Sequence, residues 1–304
     1  MKQSLVFGGN GFLGNSLLQL NSVDAPIIGV SRKQNLNDQY INSDYSYSNV
    51  RDILLKIQPE VVFYSLGSST VRTSYMESDL DTSVTHYETL LQVLCDIKLN
   101  SKVFYFSSSA VYGDQSECFL NEELLPNPTS PYGENKLKGE LLTSRYVQNF
   151  ALRAYNLRIF STFGPNQKRH LIWDVFEKFK KGFDFTLEGD GEQVRDLLHS
   201  GDFADLVHKI SALPEIPTDK PINVASGRNQ KISEVVNAIS MIYSRHNASY
   251  SNPSFKFSGG QTPGKPLNLA SDITYLKGLL GSEIFSNFSF DSKLDECISK
   301  WFSN

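Results

Sequence analysis

Tyr132 and Lys136, in the segment PYGENK, stand four residues apart, the interval that places two side chains on one face of a helix. A phenol with a reference pKa of ~10 is a poor acid or base at neutral pH, but an adjacent ammonium favours its phenolate. The pair is therefore suited to exchanging a proton with a substrate hydroxyl or carbonyl. Upstream, the apolar run Val103 to Ser107 leads into SSSAVYG, so Ser107, Ser108 and Ser109 fall at the carboxyl end of an expected strand. Ligands bind at that edge in open parallel sheets, and a hydroxyl there can donate to the oxygen that Tyr132 protonates.

A second constellation lies at the start of the chain. Gly8, Gly11 and Gly14 sit between an apolar run, Ser4 to Phe7, and an apolar helical stretch, and Gly9, Gly11 and Gly14 also satisfy GxGxxG. Glycines at a strand-to-helix turn permit the tight bend and let the backbone approach a pyrophosphate, which the helix N-terminus stabilises. Phe12 and Leu13, inside the motif, join the glycines as candidate cofactor contacts. Lys136 can then hydrogen-bond a nicotinamide ribose, tying proton transfer to hydride position.

In dinucleotide sites an acid about 20 residues further on holds the ribose 2′-hydroxyl. Here the second strand ends Gly29, Val30, Ser31, Arg32, Lys33. A hydroxyl and two cations suit a 2′-phosphate, so NADP(H) is favoured and NAD(H) stays open, as does a solvated loop pair. Asp44, after the predicted third strand, could accept from the adenine amino group or cap its own backbone.

The elements that must position these groups read as alternating strands and helices. Pro26 to Val30, Val61 to Leu66, Val103 to Ser107 and Leu157 to Phe160 are predicted strands. Asn15 to Leu20, Thr82 to Leu99 and Tyr132 to Tyr146 are predicted helices, the last with Pro131 at a tolerated first position. The expectation is an α/β fold, a Rossmann-type doubly wound parallel sheet with a smaller C-terminal substrate-binding lobe. Residues 1–163 form the dinucleotide-binding domain, and 164–304 form mainly the lobe, where the pattern loosens around GPNQ and EGDGEQ and one helix spans Ile172 to Lys181. Within the lobe, 203–245 is expected to return to the main sheet, with Pro221 to Ala225 as a strand and Ile232 to Tyr243 as a helix behind it.

Bulk properties narrow the partners. The 304 residues carry 29 basic and 33 acidic side chains, a net charge of −4 that offers no broad basic surface for nucleic acid. Cys95, Cys118 and Cys297 lack CxxC spacing, so neither a metal site nor a disulfide framework is expected. No apolar run approaches the ~20 residues of a membrane span, and MKQSLVFGG leaves no room for a signal peptide. A cytoplasmic protein is the expectation.

Taken together, GGNGFLG, SSSAVYG, SPYGENK, FGPNQ and GDGEQVRDLLHSGDFADLV resemble the extended short-chain dehydrogenase/reductase family over most of the chain. That family includes nucleotide-sugar epimerases, dehydratases and ketoreductases. The resemblance implies Ser108, Tyr132 and Lys136 as the catalytic triad, Gly8, Gly11 and Gly14 as the pyrophosphate loop, and Arg195 as the grip on a sugar nucleotide's diphosphate. It places Ser109, Asn166 and Arg169 at the substrate, with Lys168 and His170 weaker candidates. The alternative for Arg195 is a surface pair with Asp190 or Glu192.

The departures are informative. Family dehydratases carry an Asp-Glu pair directly after the triad serine or threonine, where this chain has Ser109 and Ala110, so 4,6-dehydration is disfavoured. Phe7 replaces the usual threonine before the first glycine, Ser161 replaces the usual asparagine, and Gln261 to Gly264 lacks the usual arginine. The leading expectation is a 4-ketoreductase spending NADPH on a nucleotide-linked 4-keto-6-deoxy sugar. A nucleotide-sugar 4-epimerase with tightly held NAD is the alternative, and a non-catalytic dinucleotide sensor is a second. Expected partners are a nucleotide sugar and, at most, a second copy in a homodimer.

Overall fold

Strands covered on both faces must be apolar throughout, and the runs SLVF, IIGVS and VVFY meet that demand. In the computed structural model they form β1 (Ser4–Phe7), β2 (Ile27–Ser31) and, after a short β3 (Tyr40–Asn42), β4 (Val61–Tyr64). The structure describes residues 3–33, 37–67, 78–115, 119–247, 253–260 and 268–303, with backbone alone for 78–81. Helices α1 (Phe12–Leu18), α2 (Tyr47–Ile57) and α3 (Ser78–Asp96) alternate with these strands, followed by β5 (Lys102–Ser108), α4 (Pro131–Phe150) and β6 (Ala154–Ile159). The chain continues through β7 (Ser161–Phe163), α5 (His170–Lys181), β8 (Phe185–Leu187), β9 (Val194–His199), α6 (Ser200–Ala212) and β10 (Ile222–Val224). Then come β11 (Asn229–Lys231), α7 (Ile232–His246), β12 (Phe255–Phe257), β13 (Asn268–Leu269), α8 (Thr274–Leu280) and α9 (Phe290–Phe302).

The seven-stranded sheet has the order β10-β6-β5-β4-β1-β2-β3. Each neighbouring pair is parallel, with Ser4 registered against both Ile27 and Val61. Strand order reverses between β1 and β4, so the carboxyl ends of these two strands flank a topological switch point, where open α/β sheets bind ligands. Leu5, Phe7, Val62, Tyr64, Leu90, Leu94, Val103 and Tyr105 belong to the core under this edge.

The chain divides into two compact units. The first comprises Met1–Gly113, Glu122–Ile159 and Phe203–Val224, and the second Asp114–Asn121, Phe160–Asp202 and Ala225–Asn304. Strand β10 returns to the main sheet beside β6. The return stops at Val224, short of residue 245, because the next helix has a better apolar surface elsewhere. Val235, Val236, Ile239 and Ile242 of α7 share a core with Val175, Phe176 and Phe179 of α5 and Trp301 of α9, inside the second unit. The second unit's small sheet is built on β9, which pairs with β7, β11 and β13.

Helix boundaries follow local chemistry. Helix α1 starts at Phe12, three residues before the expected Asn15, because Gly11 is extended (φ −77°, ψ 168°) and serves as its N-cap. Ser130 caps α4 by accepting the Gly133 N–H at 3.1 Å, and Pro131 occupies the first turn. Ala151, left-handed at φ 54°, ends that helix.

Candidate active site

The glycine loop follows β1 directly. A Cβ on Gly14 would strike the Gly8 carbonyl oxygen and lie 2.9 Å from Gly9 Cα, so only glycine lets α1 lie this close to the turn. Gly8, at φ +84°, makes the turn itself, and Gly11 donates its N–H to the Gly8 carbonyl at 2.9 Å. No side chain caps the N-terminus of α1, and Phe12 and Leu13 are half-buried in its first turn. A backbone cradle ahead of a helix with no side-chain cap fits the pyrophosphate of a dinucleotide.

At the end of β2, Ser31 is buried and its Oγ accepts the Lys33 N–H at 3.1 Å. Arg32 and Lys33 are exposed. The Arg32 guanidinium lies 6.0 Å from the centroid of the Tyr45 ring, and Asn42 Nδ2 donates to the Arg32 carbonyl at 3.2 Å. Asp44 caps its own backbone: its Oδ1 accepts the Ser46 N–H at 2.9 Å and the Ser46 hydroxyl at 2.7 Å. Those hydrogen bonds hold its carboxyl below the usual range.

Ser108 ends β5 and caps the 3-10 turn Ser109–Val111, its Oγ accepting the Ala110 N–H at 3.2 Å. Ser109 is buried in that turn. Helix α4 begins hard against it, since a Cβ on Gly133 would lie 2.6 Å from the Ala110 carbonyl oxygen. This contact sets Tyr132 beside Ser108. Burial raises the Tyr132 phenol above its usual value, and the hydrogen bond with the Ser108 side chain opposes that rise. One helical turn on, Lys136 donates to the Phe106 carbonyl at 2.7 Å, with its Nζ 5.9 Å from the Tyr132 ring centroid and 5.3 Å from that of Tyr105. Burial pushes this ammonium down to about 8. Ser108, Tyr132 and Lys136 are thus assembled in the first unit, a group that can polarise and protonate one substrate oxygen.

The other candidates lie in the second unit. Arg195 is half-buried on β9 and donates from Nη1 to the Val194 carbonyl at 2.7 Å; burial pushes it down to about 10. Glu192 pairs with Lys231 at 2.6 Å, and Asp190 accepts the Glu192 N–H at 3.0 Å. Asn166 and Arg169 are exposed, and Asn166 accepts from Lys300 at 3.2 Å. Lys168 lies over the Trp173 ring, and burial lowers the half-buried His170. Gln261 to Gly264 and Cys118 fall outside the described residues. Among the described residues, no group of three or more His, Cys, Asp or Glu could hold a metal ion, and no helix is long and apolar enough to cross a membrane.

Sequence reasoning missed Glu140. It continues the Tyr132, Lys136 stripe by four more residues and is buried, with Ser107 and Arg158 on its carboxylate. The signal was the extended spacing YxxxKxxxE.

The sequence model of the NAD dependent epimerase/dehydratase family matches residues 4–225. A UDP-glucose 4-epimerase of Mycolicibacterium smegmatis is 25% identical over 222 residues, covering 67% of this chain and 71% of that protein. Among solved structures, UDP-glucuronic acid 4-epimerase from Bacillus cereus, in complex with UDP-glucuronic acid and NAD, matches with TM-score 0.83 at 24% identity, covering 98% and 99% of the two chains. UDP-glucose 4-epimerase from Thermotoga maritima, with UDP-glucose, matches with TM-score 0.84 at 21% identity, covering 99% of each. At such identities the structural likeness establishes the fold.

Proposed function

The chain belongs to the NAD dependent epimerase/dehydratase family, and from that premise we propose that it is a nucleotide-sugar 4-epimerase working with NAD. The observation that carries this reading is the Tyr132 phenol placed with the Ser108 hydroxyl and the Lys136 ammonium at the carboxyl edge of β5. Ser109 and Ala110 follow Ser108, so no acid pair stands there to drive elimination of water. Proton exchange at one oxygen is what remains, and it serves both directions of an alcohol–ketone interconversion. The relatives named above, two of them bound to UDP-sugars, support a UDP-hexose as the first substrate to test.

Bound NAD would supply hydride acceptance from the sugar carbon and return to its opposite face. Gly8, Gly11 and Gly14 would hold its pyrophosphate, and Lys136 its nicotinamide ribose. Tyr132 Oη would take the proton of the sugar 4-hydroxyl and give it back once the ketone has turned. The Lys136 charge favours the phenolate that this requires, and Ser108 would donate to the same oxygen. Arg195 is the candidate for holding a diphosphate, which a guanidinium fork suits. The experiment is to incubate the protein with UDP-glucose or UDP-N-acetylglucosamine and catalytic NAD and to follow C4 configuration by NMR. Interconversion without net cofactor consumption is expected.

A second reading, the 4-ketoreductase spending NADPH on a 4-keto-6-deoxy sugar, has one observation in its favour. Ser31 ends β2 and Arg32 and Lys33 follow it, without the carboxylate that would bond a ribose 2′-hydroxyl. Calorimetric titration with NAD and NADP decides between them: tighter NADP binding, weakened by Arg32→Ala, together with stoichiometric NADPH consumption, selects the reductase.

A further inference from the structure

Tyr132, Lys136 and Glu140 recur every four residues along one stripe of α4, yet Glu140 is turned toward the sheet. Ser107 and Arg158 are direct partners across the β5–β6 ladder, one residue before the Ser108–Ile159 pair. Both reach the same carboxylate. Ser107 donates to Glu140 Oε1 at 2.6 Å, while Arg158 donates from Nε to Oε1 at 3.0 Å and from Nη2 to Oε2 at 2.9 Å. The Glu140 residue is 5% exposed and Arg158 3%, so these bonds form away from water. The guanidinium also lies 4.6 Å from the centroid of the Tyr112 ring, and Tyr112 donates to Asn223 Oδ1 on β10 at 2.7 Å. Tyr112 directly follows the turn that Ser108 caps.

One carboxylate thus joins the helix that carries Tyr132 and Lys136 to the strand that ends in Ser108 and to β6, and Arg158 and Tyr112 extend the link to β10. A two-point ion pair fixes rotation as well as distance, which a lone hydrogen bond or an apolar contact does not. We propose that Glu140 and Arg158 are a positioning pair that sets the rotation of α4 against β5, and so the alignment of Tyr132 with Ser108 for proton transfer. The proposal rests on the reading of Tyr132 as the acid-base group, and the pair itself touches neither substrate nor cofactor. Misplacement of a reacting group by about 1 Å can cost on the order of 10²-fold in rate.

The test compares wild type, Glu140→Gln and Arg158→Lys, each with NAD bound. Glu140→Gln is expected to lower kcat about 10- to 100-fold with KM little changed, and to shift the pH profile of kcat. A second readout is the ultraviolet difference titration of Tyr132, isolated by subtracting Tyr132→Phe, whose midpoint is expected to move in Glu140→Gln. Normal kcat and an unmoved midpoint, alongside a lowered Tm, would make the pair a stability element only and overturn the proposal. Where Glu140→Gln does not fold, Arg158→Lys carries the test, because it keeps the opposite charges and removes the two-point geometry. A kcat loss of about 3- to 10-fold supports positioning there, and an unchanged kcat overturns it. Failure of the functional reading is distinguishable: wild type itself would then leave the C4 configuration of the UDP-hexoses unchanged, while the midpoint comparison still reports on positioning.

Discussion

Replacing Lys136 by methionine should make the protein more stable at neutral pH while removing its activity. The ammonium is buried, and burial lowers it from 10.5 to about 8. A displacement of that size corresponds to about 3 kcal/mol of destabilisation while the group is charged in both folded and unfolded states. Methionine fills the path of the side chain up to Cε, lacks only the terminal nitrogen position, and carries no charge. It forfeits the hydrogen bond to the Phe106 carbonyl, which contributes about 1.5 kcal/mol for a charged donor. The net expectation is a gain of about 1–2 kcal/mol at pH 7. Its sign varies with pH in a defined way. Below about 8 both states hold the proton and the folded state carries the full penalty. Between about 8 and 10.5 the unfolded chain keeps a proton that the folded chain has released, so wild-type stability rises relative to the variant. Urea unfolding of both proteins without added dinucleotide, followed by far-ultraviolet circular dichroism at pH 7 and pH 10, measures the gap. A destabilised variant at pH 7, or a gap equal at the two pH values, refutes the reasoning.

Tyr132→Phe should lower turnover by about 10² to 10⁴ while leaving dinucleotide affinity intact, because the phenol contributes the proton and not the cradle; kinetics and calorimetry on the same preparation check both halves. Gly14→Ala should do the reverse first: its Cβ meets the Gly8 carbonyl oxygen and Gly9 Cα, both backbone, so the loop must shift at a cost of about 1–3 kcal/mol. NAD affinity measured by calorimetry should fall at least about tenfold, and unchanged affinity would remove the loop from the site.

Much of this was legible because buried parallel strands read as unbroken apolar runs. SLVF, IIGV and VVFY could scarcely be anything else, and Ser130 and Pro131 announce the start of α4. The three-residue β3 offers a single aliphatic side chain, Ile41, and β7, β8, β11, β12 and β13 are two or three residues long. Their pairing is decided by distant partners, which local patterning does not encode. The end of the chain's return to the main sheet is not encoded locally either: α7 carries an apolar stripe, and only its packing on Phe176 and Phe179 of α5 assigns it to the second unit. In the site, residue types and spacing pointed to Tyr132, Lys136 and the run Ser107 to Ser109, and the family resemblance singled out Ser108, which the structure places beside Tyr132. Asp44 had two open roles, and the structure shows the backbone cap. Glu140 escaped notice because a glutamate on a helix reads as solvated until Arg158 is placed beside it.

The most direct test of the central claim is the fate of hydrogen at sugar C4. UDP-glucose labelled with deuterium at C4 is converted by the protein with unlabelled NAD, and the C4-inverted product is examined by mass spectrometry and NMR. A hydride that leaves the sugar and returns to it predicts full retention of deuterium at C4 in the product, with no cofactor consumed. Loss of the label to solvent, or reaction only when NADPH is supplied in stoichiometric amount, would contradict the account.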